Sequence, residues 1–184
     1  MATPLPAGLT AGVYEIDPSH TAASFSVRHA GIAKVRGSIA VTSGTITVGE
    51  DLESSSVTAE LDAASVSTGD AGRDGHLKSA DFWHAEEKPT WTFTSTGVRA
   101  DGDDYVISGD LTINGITKGV ELETEFTGTA KDPFGNNRAG FEAKLEINRK
   151  DFGLTWNATL ETGGFLVGDK VKIELDVSAI VKEG

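Results

Sequence analysis

Along most of the chain apolar and polar side chains alternate residue by residue, the pattern of a strand that buries one face and wets the other. Phe25 and Val27 alternate with Ser26 and Arg28; Val57, Ala59 and Leu61 with Thr58 and Glu60; Trp91 and Phe93 with Thr92 and Thr94. Tyr105, Ile107, Gly109, Leu111 and Ile113 lie opposite Val106, Ser108, Asp110 and Thr112, and Val120, Leu122, Thr124 and Phe126 opposite Glu121, Glu123 and Glu125. The clearest runs are the last two: Phe141, Ala143, Leu145 and Ile147 against Glu142, Lys144 and Glu146, then Val171, Ile173, Leu175 and Val177 against Lys172, Glu174 and Asp176. Asn114-Gly115 predicts a type I′ hairpin, because both central positions of that turn need positive φ. Ser43-Gly44, Asp101-Gly102-Asp103-Asp104 and the run from Asp132 to Asn137 read as further hairpin connections.

The rhythm breaks between Thr68 and Glu87. There Leu77, Ala80, Phe82 and Trp83 suggest short helical turns, while Gly69, Gly72 and Gly75 each disfavour a long helix by about 1 kcal/mol relative to Ala. The pattern therefore predicts an all-β chain with a short helical insertion near residues 69–87. Residues 1–12 read as a flexible N-terminal segment ahead of one domain over residues 13–184. Successive hairpins, each with one apolar face, bury those faces by closing an antiparallel up-and-down β-barrel of about eight strands. A barrel of that size either fills with its own side chains or encloses one small ligand.

Composition narrows the function classes. A hydrophobic content of 38% in 184 residues supplies one sizeable core and argues against disorder. With 16 basic residues scattered among 28 acidic ones, the net charge of −12 disfavours nucleic acid and anionic membrane surfaces as partners. The absence of cysteine excludes disulfides, thiolate nucleophiles and cysteine-bound metal. His20, His29, His76 and His84 lack the H-E-x-x-H spacing, and no nucleophile elbow, phosphate loop or dinucleotide fingerprint occurs. The first ten residues carry neither a basic segment nor an apolar one of signal-peptide length, and no apolar run approaches the roughly 20 residues that span a bilayer, so the expected location is cytoplasmic with no integral membrane segment.

Several blocks resemble one known family. Tyr14-Glu-Ile-Asp17-Pro18-Ser-His20 continuing to Phe25-Ser-Val27-Arg28-His29 is similar to the opening of the YceI-like proteins, although Tyr14 stands where that family often has Trp. Ser65-Val-Ser-Thr68 followed by Arg73-Asp74-Gly-His76-Leu77-Lys78-Ser-Ala-Asp81-Phe82-Trp83 resembles the family's most distinctive motif. Gly109 to Lys118 and Asn148-Arg149-Lys-Asp151-Phe152-Gly153-Leu154 match two further blocks, so that the likeness runs in order from residue 13 to residue 180. The resemblance implies an extended lipocalin-like barrel whose lumen holds a long-chain amphiphile, a polyisoprenoid or an isoprenoid quinone, for storage or carriage. It implies no catalytic residues and no required cofactor beyond such a bound isoprenoid.

On this reading the lumen is lined by Phe25, Val27, Trp91, Phe93, Leu111, Ile113, Phe141, Leu145, Ile147, Phe152 and Trp156, and alternation turns His29 inward with them. The competing reading is a filled core, because most buried apolar stripes simply pack. His29 reads either as a satisfied core histidine or as a donor to a head group. Arg73, Asp74, His76, Lys78 and Trp83 are placed at the barrel mouth, where cations meet a phosphate or a quinone oxygen; Arg73 and Asp74 read equally well as a structural pair that ties the insertion down. Arg28 is expected to turn away from the lumen. Two alternatives remain at this level: an enzyme acting on a lipid or quinone in the same cavity, with His29, His76 or Asp74 moving protons, and a structural or stress-related interaction protein with a filled core. A homodimer is compatible with each of these readings, lipid binding included.

Overall fold

The alternating runs become nine antiparallel strands in the computed structural model, which describes residues 2–82, 85–157 and 167–182. They are β1 (Gly12–Ile16), β2 (Ala22–His29), β3 (Ala33–Val48), β4 (Ser56–Ser67), β5 (Thr90–Asp101), β6 (Asp104–Ile113), β7 (Ile116–Lys131), β8 (Asn137–Asn148) and β9 (Val167–Val181). From β2 to β9 each strand pairs with the next, and β9 returns to β2, so eight positions close into a ring. Closure leaves no sheet edge to template aggregation. The architecture is the lipocalin-like barrel that the alternation and the resemblance predict.

β1 and β2 share one position in that ring. β2 pairs with the first half of β3 and most of β9, whereas β1 pairs with the end of β3 (Tyr14 opposite Ile46) and the end of β9 (Glu15 opposite Ile180). Pro18 breaks the ribbon between them, since it has no N–H to give a ladder. A 3-10 turn over residues 18–20 fills the gap, capped by Asp17, whose carboxylate accepts from the Ser19 amide at 3.0 Å. Arg138 on β8 locks the break by donating to Asp17 at 2.8 Å and to Asp132 at 2.8 Å. The Arg138 guanidinium, then Ser19, hold the Asp17 carboxyl far below the usual carboxylate range. Partial desolvation pushes Asp132 upward, but the Asn136 amide, Arg138 and the Phe134 amide outweigh it and bring its pKa down to about 2.

The turns follow the sequence at three of the four expected places. Asn114 and Gly115 take φ of 56° and 73°, as a type I′ turn requires; Gly102 and Asp132–Asn137 form the other two turns, the latter held by the Asp132 carboxylate. Ser43-Gly44 is no connection. It lies inside the 16-residue strand β3, at a bulge where the register to β4 slips between Val41 and Ser43. The reversal comes later, over residues 49–55. Gly44 is small for another reason: a Cβ there would lie 2.5 Å from Ile16 Cδ1 and 2.9 Å from the Thr58 carbonyl.

The insertion contains one helix, α1 (Ala71–Lys78). Asp70 caps it by accepting from the Arg73 amide at 2.9 Å, and Ser79 ends it by donating to the His76 carbonyl. α1, the β2–β3 and β6–β7 hairpins and residues 149–157 after β8 gather at one end of the barrel. Residues 2–11 cross the opposite end, where Leu5 and Leu9 pack on a cluster that includes Tyr14, Val48 and Ala179. Thr3 anchors that segment to Glu53, its amide donating at 2.9 Å, while the Leu52 amide donates to the Thr3 carbonyl at 3.0 Å.

Candidate functional site

Two chambers lie along the barrel axis. The inner one, about 140 Å³, is walled by inward residues of eight strands, every one but β2, among them Val41, Leu61, Trp91, Phe93, Ile107, Leu111, Leu145 and Leu175. Among the described residues its only polar wall residues are Thr21 and Thr124, and none is charged. The mouth chamber, about 380 Å³, is lined by Phe25, Val27, Val35, Leu77, Phe82, Leu154, Trp156, Val167 and Val171 together with Arg28, His29, Arg73, His76 and Arg149. Phe25 stands at the boundary. Its register neighbour Ile173, and Leu145 beyond it, face the inner chamber, whereas Phe25 faces the mouth. A third void of about 70 Å³ sits at the far end beneath Leu5, Pro6 and Leu9.

These volumes decide between a hollow and a filled barrel. The interior is not packed solid, and charge is confined to the mouth chamber among the described residues. It is also narrow: a dry apolar cavity of roughly 150 Å³ accepts one benzene-sized group, so the inner chamber takes a short stretch of chain unless side chains move. The mouth chamber falls within the roughly 300–1,000 Å³ of small-molecule sites.

Most of the expected lumen residues are where alternation places them. Trp91, Phe93, Leu111, Ile113, Phe141 and Leu145 line the inner chamber, and Phe25, Val27 and Trp156 the mouth. Ile147 and Phe152 instead belong to the packed core, Phe152 at 1% exposure, and line neither chamber. His29 also lines the mouth chamber, but as the last residue of β2 it is exposed at the rim. Beside it the β2–β9 register slips at a bulge in β9, where residues 168–170 face Arg28 alone, while the β2–β3 register runs unbroken to His29. Arg28, which strict alternation turns outward, is on the mouth wall opposite that bulge.

Among the residues expected at the mouth, Arg73 and Asp74 converge on Thr68. The Arg73 Nε donates to Thr68 Oγ1 at 2.8 Å and its terminal nitrogen to the Thr68 carbonyl at 3.0 Å, while Asp74 accepts from the Thr68 amide at 2.9 Å. Both therefore tie α1 to the end of β4, and Arg73 also faces the chamber. His76 stands edge-on to Trp156 and Phe82, ring centroids 4.7 and 5.1 Å away, with Nε2 2.9 Å from Asp81. Lys78 lines neither chamber, and Trp83 lies outside the described residues.

The residue that sequence reasoning missed is Arg149. It is 2% exposed, and its guanidinium donates to the carbonyls of Leu154 (2.5 Å), Trp156 (2.9 Å), Gly168 (2.9 Å) and Val167 (3.4 Å), with Asp169 3.8 Å away. Burial lowers its pKa from the ordinary value, against the opposing pull of Asp169. Arg149 thus clamps both ends of the β8–β9 connection and holds Trp156 in the mouth wall. An arginine beside Asn148 at a strand end gives no periodic signal; its place in a recurring block was the one sign of it. Among the described residues no cluster of His, Asp and Glu is arranged to hold a metal ion.

The fold and the site define a closed antiparallel β-barrel with an apolar interior that opens through one cation-bearing mouth. The chain belongs to the YceI-like family, whose domain matches residues 14–179. It is 43% identical over 144 residues to Protein YceI of Escherichia coli O17:K52:H18, the match covering 77% of this chain and 75% of that protein. Its barrel is similar to that of Burkholderia cenocepacia BcnA (TM-score 0.74, 21% identity, covering 89% of this chain and 98% of that one). It is similar in fold also to a polyisoprenoid binding domain from Saccharophagus degradans (TM-score 0.70, 14% identity, covering 94% and 100%).

Proposed function

We propose that this protein binds a long-chain amphiphile, a polyisoprenoid or isoprenoid quinone, with the tail in the barrel and the head group at the mouth, and so stores or carries it. The observation that carries this reading is the uncharged inner chamber lying behind a larger apolar mouth chamber with cations on its wall. Each methylene moved from water into such a lining contributes about 0.8 kcal/mol before ordering costs, so a tail binds without any polar contact. Family membership and the fold shared with a polyisoprenoid binding domain support the same choice of ligand. Because the inner chamber is small, tail width is restricted: an unbranched or singly methyl-branched chain threads it where a fused ring does not.

The test is gentle purification, organic extraction and mass spectrometry of the bound material, followed by uptake of added isoprenoid by the stripped protein. The expected result is one isoprenoid chain per barrel. Lipid-free protein that also takes up no isoprenoid defeats the proposal.

A further inference from the structure

The mouth chamber has a charge that the rest of the molecule lacks. Three of the chain's six arginines and two of its four histidines are on its wall, and among the described residues no carboxylate is. Elsewhere the strands turn glutamates and aspartates outward, and the net charge is −12. Three separate segments bring the arginines together. Arg28, near the end of β2, sits on the wall opposite a bulge in β9. The Thr68 tether fixes Arg73. Carbonyl oxygens fix Arg149, whose buried guanidinium raises the potential of a poorly solvated cavity more than a surface charge can.

Resting on the amphiphile reading above, we infer that the preferred ligand is a single-chain amphiphile with an anionic head group of the phosphate, diphosphate or carboxylate class, rather than a neutral alcohol or quinone. Arg73 and Arg149 are partly engaged by the protein, through Thr68 and through backbone carbonyls. Arg28 has no ion pair among the described residues and is exposed at the rim, so its guanidinium is the group poised to meet the incoming anion, with His29 beside it. Carboxylates near these cations are not among the described wall residues: Asp81 holds His76, Asp74 holds Thr68, Asp70 accepts from the Arg73 amide and Asp169 faces Arg149. A neutral head group gains only ordinary hydrogen bonds here, whereas an anion gains charge-assisted ones.

The experiment titrates the stripped protein with farnesyl diphosphate, farnesol and inorganic pyrophosphate, read by the emission of Trp156 at the mouth and by calorimetry, at low and at physiological salt. Farnesyl diphosphate is expected to bind at least roughly tenfold more tightly than farnesol, the worth of one charge-assisted hydrogen bond. That advantage shrinks with salt and shrinks again in Arg28→Gln. It is unchanged in Arg99→Gln, a charge-matched control on the outer wall paired with Glu121. Equal binding of farnesol and its diphosphate, or an advantage that Arg28→Gln leaves intact, overturns the head-group inference and leaves the amphiphile reading standing. Binding of neither farnesyl compound overturns both. Pyrophosphate binding as tightly as the lipid overturns the inference in favour of a free-anion site.

Discussion

Gly37 and Gly109 show how single positions shape the interior. Both sit on inward faces beneath aromatic rings: a Cβ on Gly37 would lie 2.5 Å from Phe25 Cζ, and one on Gly109 2.5 Å from Phe93 Cζ and 2.6 Å from the Thr94 carbonyl. The missing side chains let the two rings lie across the barrel wall, which keeps Phe25 at the chamber boundary. Gly109→Ala has no room to relax, because a backbone atom blocks it, and is expected to destabilise by about 1–3 kcal/mol. Gly97, with nothing within 4 Å of its built Cβ, is the comparison: Gly97→Ala changes stability by less than about 0.5 kcal/mol. Urea unfolding of both variants checks the contrast, and equal effects would refute the cradle argument.

Arg149 matters at the same scale. Arg149→Met keeps the stem's packing but leaves buried carbonyls without their donor, so a loss of about 2–4 kcal/mol is expected. Because the clamp orients Trp156, its emission in the folded variant shifts to longer wavelength. A variant with wild-type stability and emission would reduce Arg149 to a bystander.

At the scale of elements, the interrupted β1–β2 ribbon and the segment before it determine how the barrel ends. Residues 2–9 lay Leu5 and Leu9 over the far void, anchored by Thr3 on Glu53. Their deletion is expected to lower stability by about 1–3 kcal/mol, since both leucines are only partly buried. It also opens the far end, so that the truncated protein binds an environment-sensitive apolar dye that the full chain excludes. Calorimetry and dye fluorescence measure the two effects. α1 behaves differently: Gly72 and Gly75 weaken it, and it depends on the Asp70 cap and the Thr68 tether more than on packing, so amide exchange is expected to be faster there than in β8 and β9.

The whole molecule responds to acid through the Asp17–Arg138–Asp132 network, which joins the ribbon break to the β7–β8 turn. Both carboxylates titrate lower in the folded state than their ordinary 3.8, so the unfolded chain takes up protons first as pH falls. Their stabilisation is complete above about pH 4 to 5 and disappears through pH 2 and below. Arg138→Leu removes the cause and moves the acid-unfolding midpoint to higher pH, as followed by far-ultraviolet circular dichroism. An unmoved midpoint would show that other carboxylates govern acid unfolding.

Alternation alone determined which side chains of β4 to β9 face inward, because side chains along a strand point to opposite faces in turn and only one face can be apolar; the Asn114-Gly115 turn was legible for an equally local reason. The motif blocks around Arg73 and Asn148 carried the family. The ring closure, the passage of β3 through Ser43-Gly44 and the two chambers were decided by tertiary structure, since all depend on contacts between residues far apart in sequence. So were the β9 bulge opposite Arg28, the place of Arg28 and His29 on the mouth wall, and the burial of Arg149. A bulge breaks the period by which inward and outward positions are read, and the volume left inside a barrel depends on how rings such as Phe25 and Phe93 settle against the opposite wall, which no local pattern encodes.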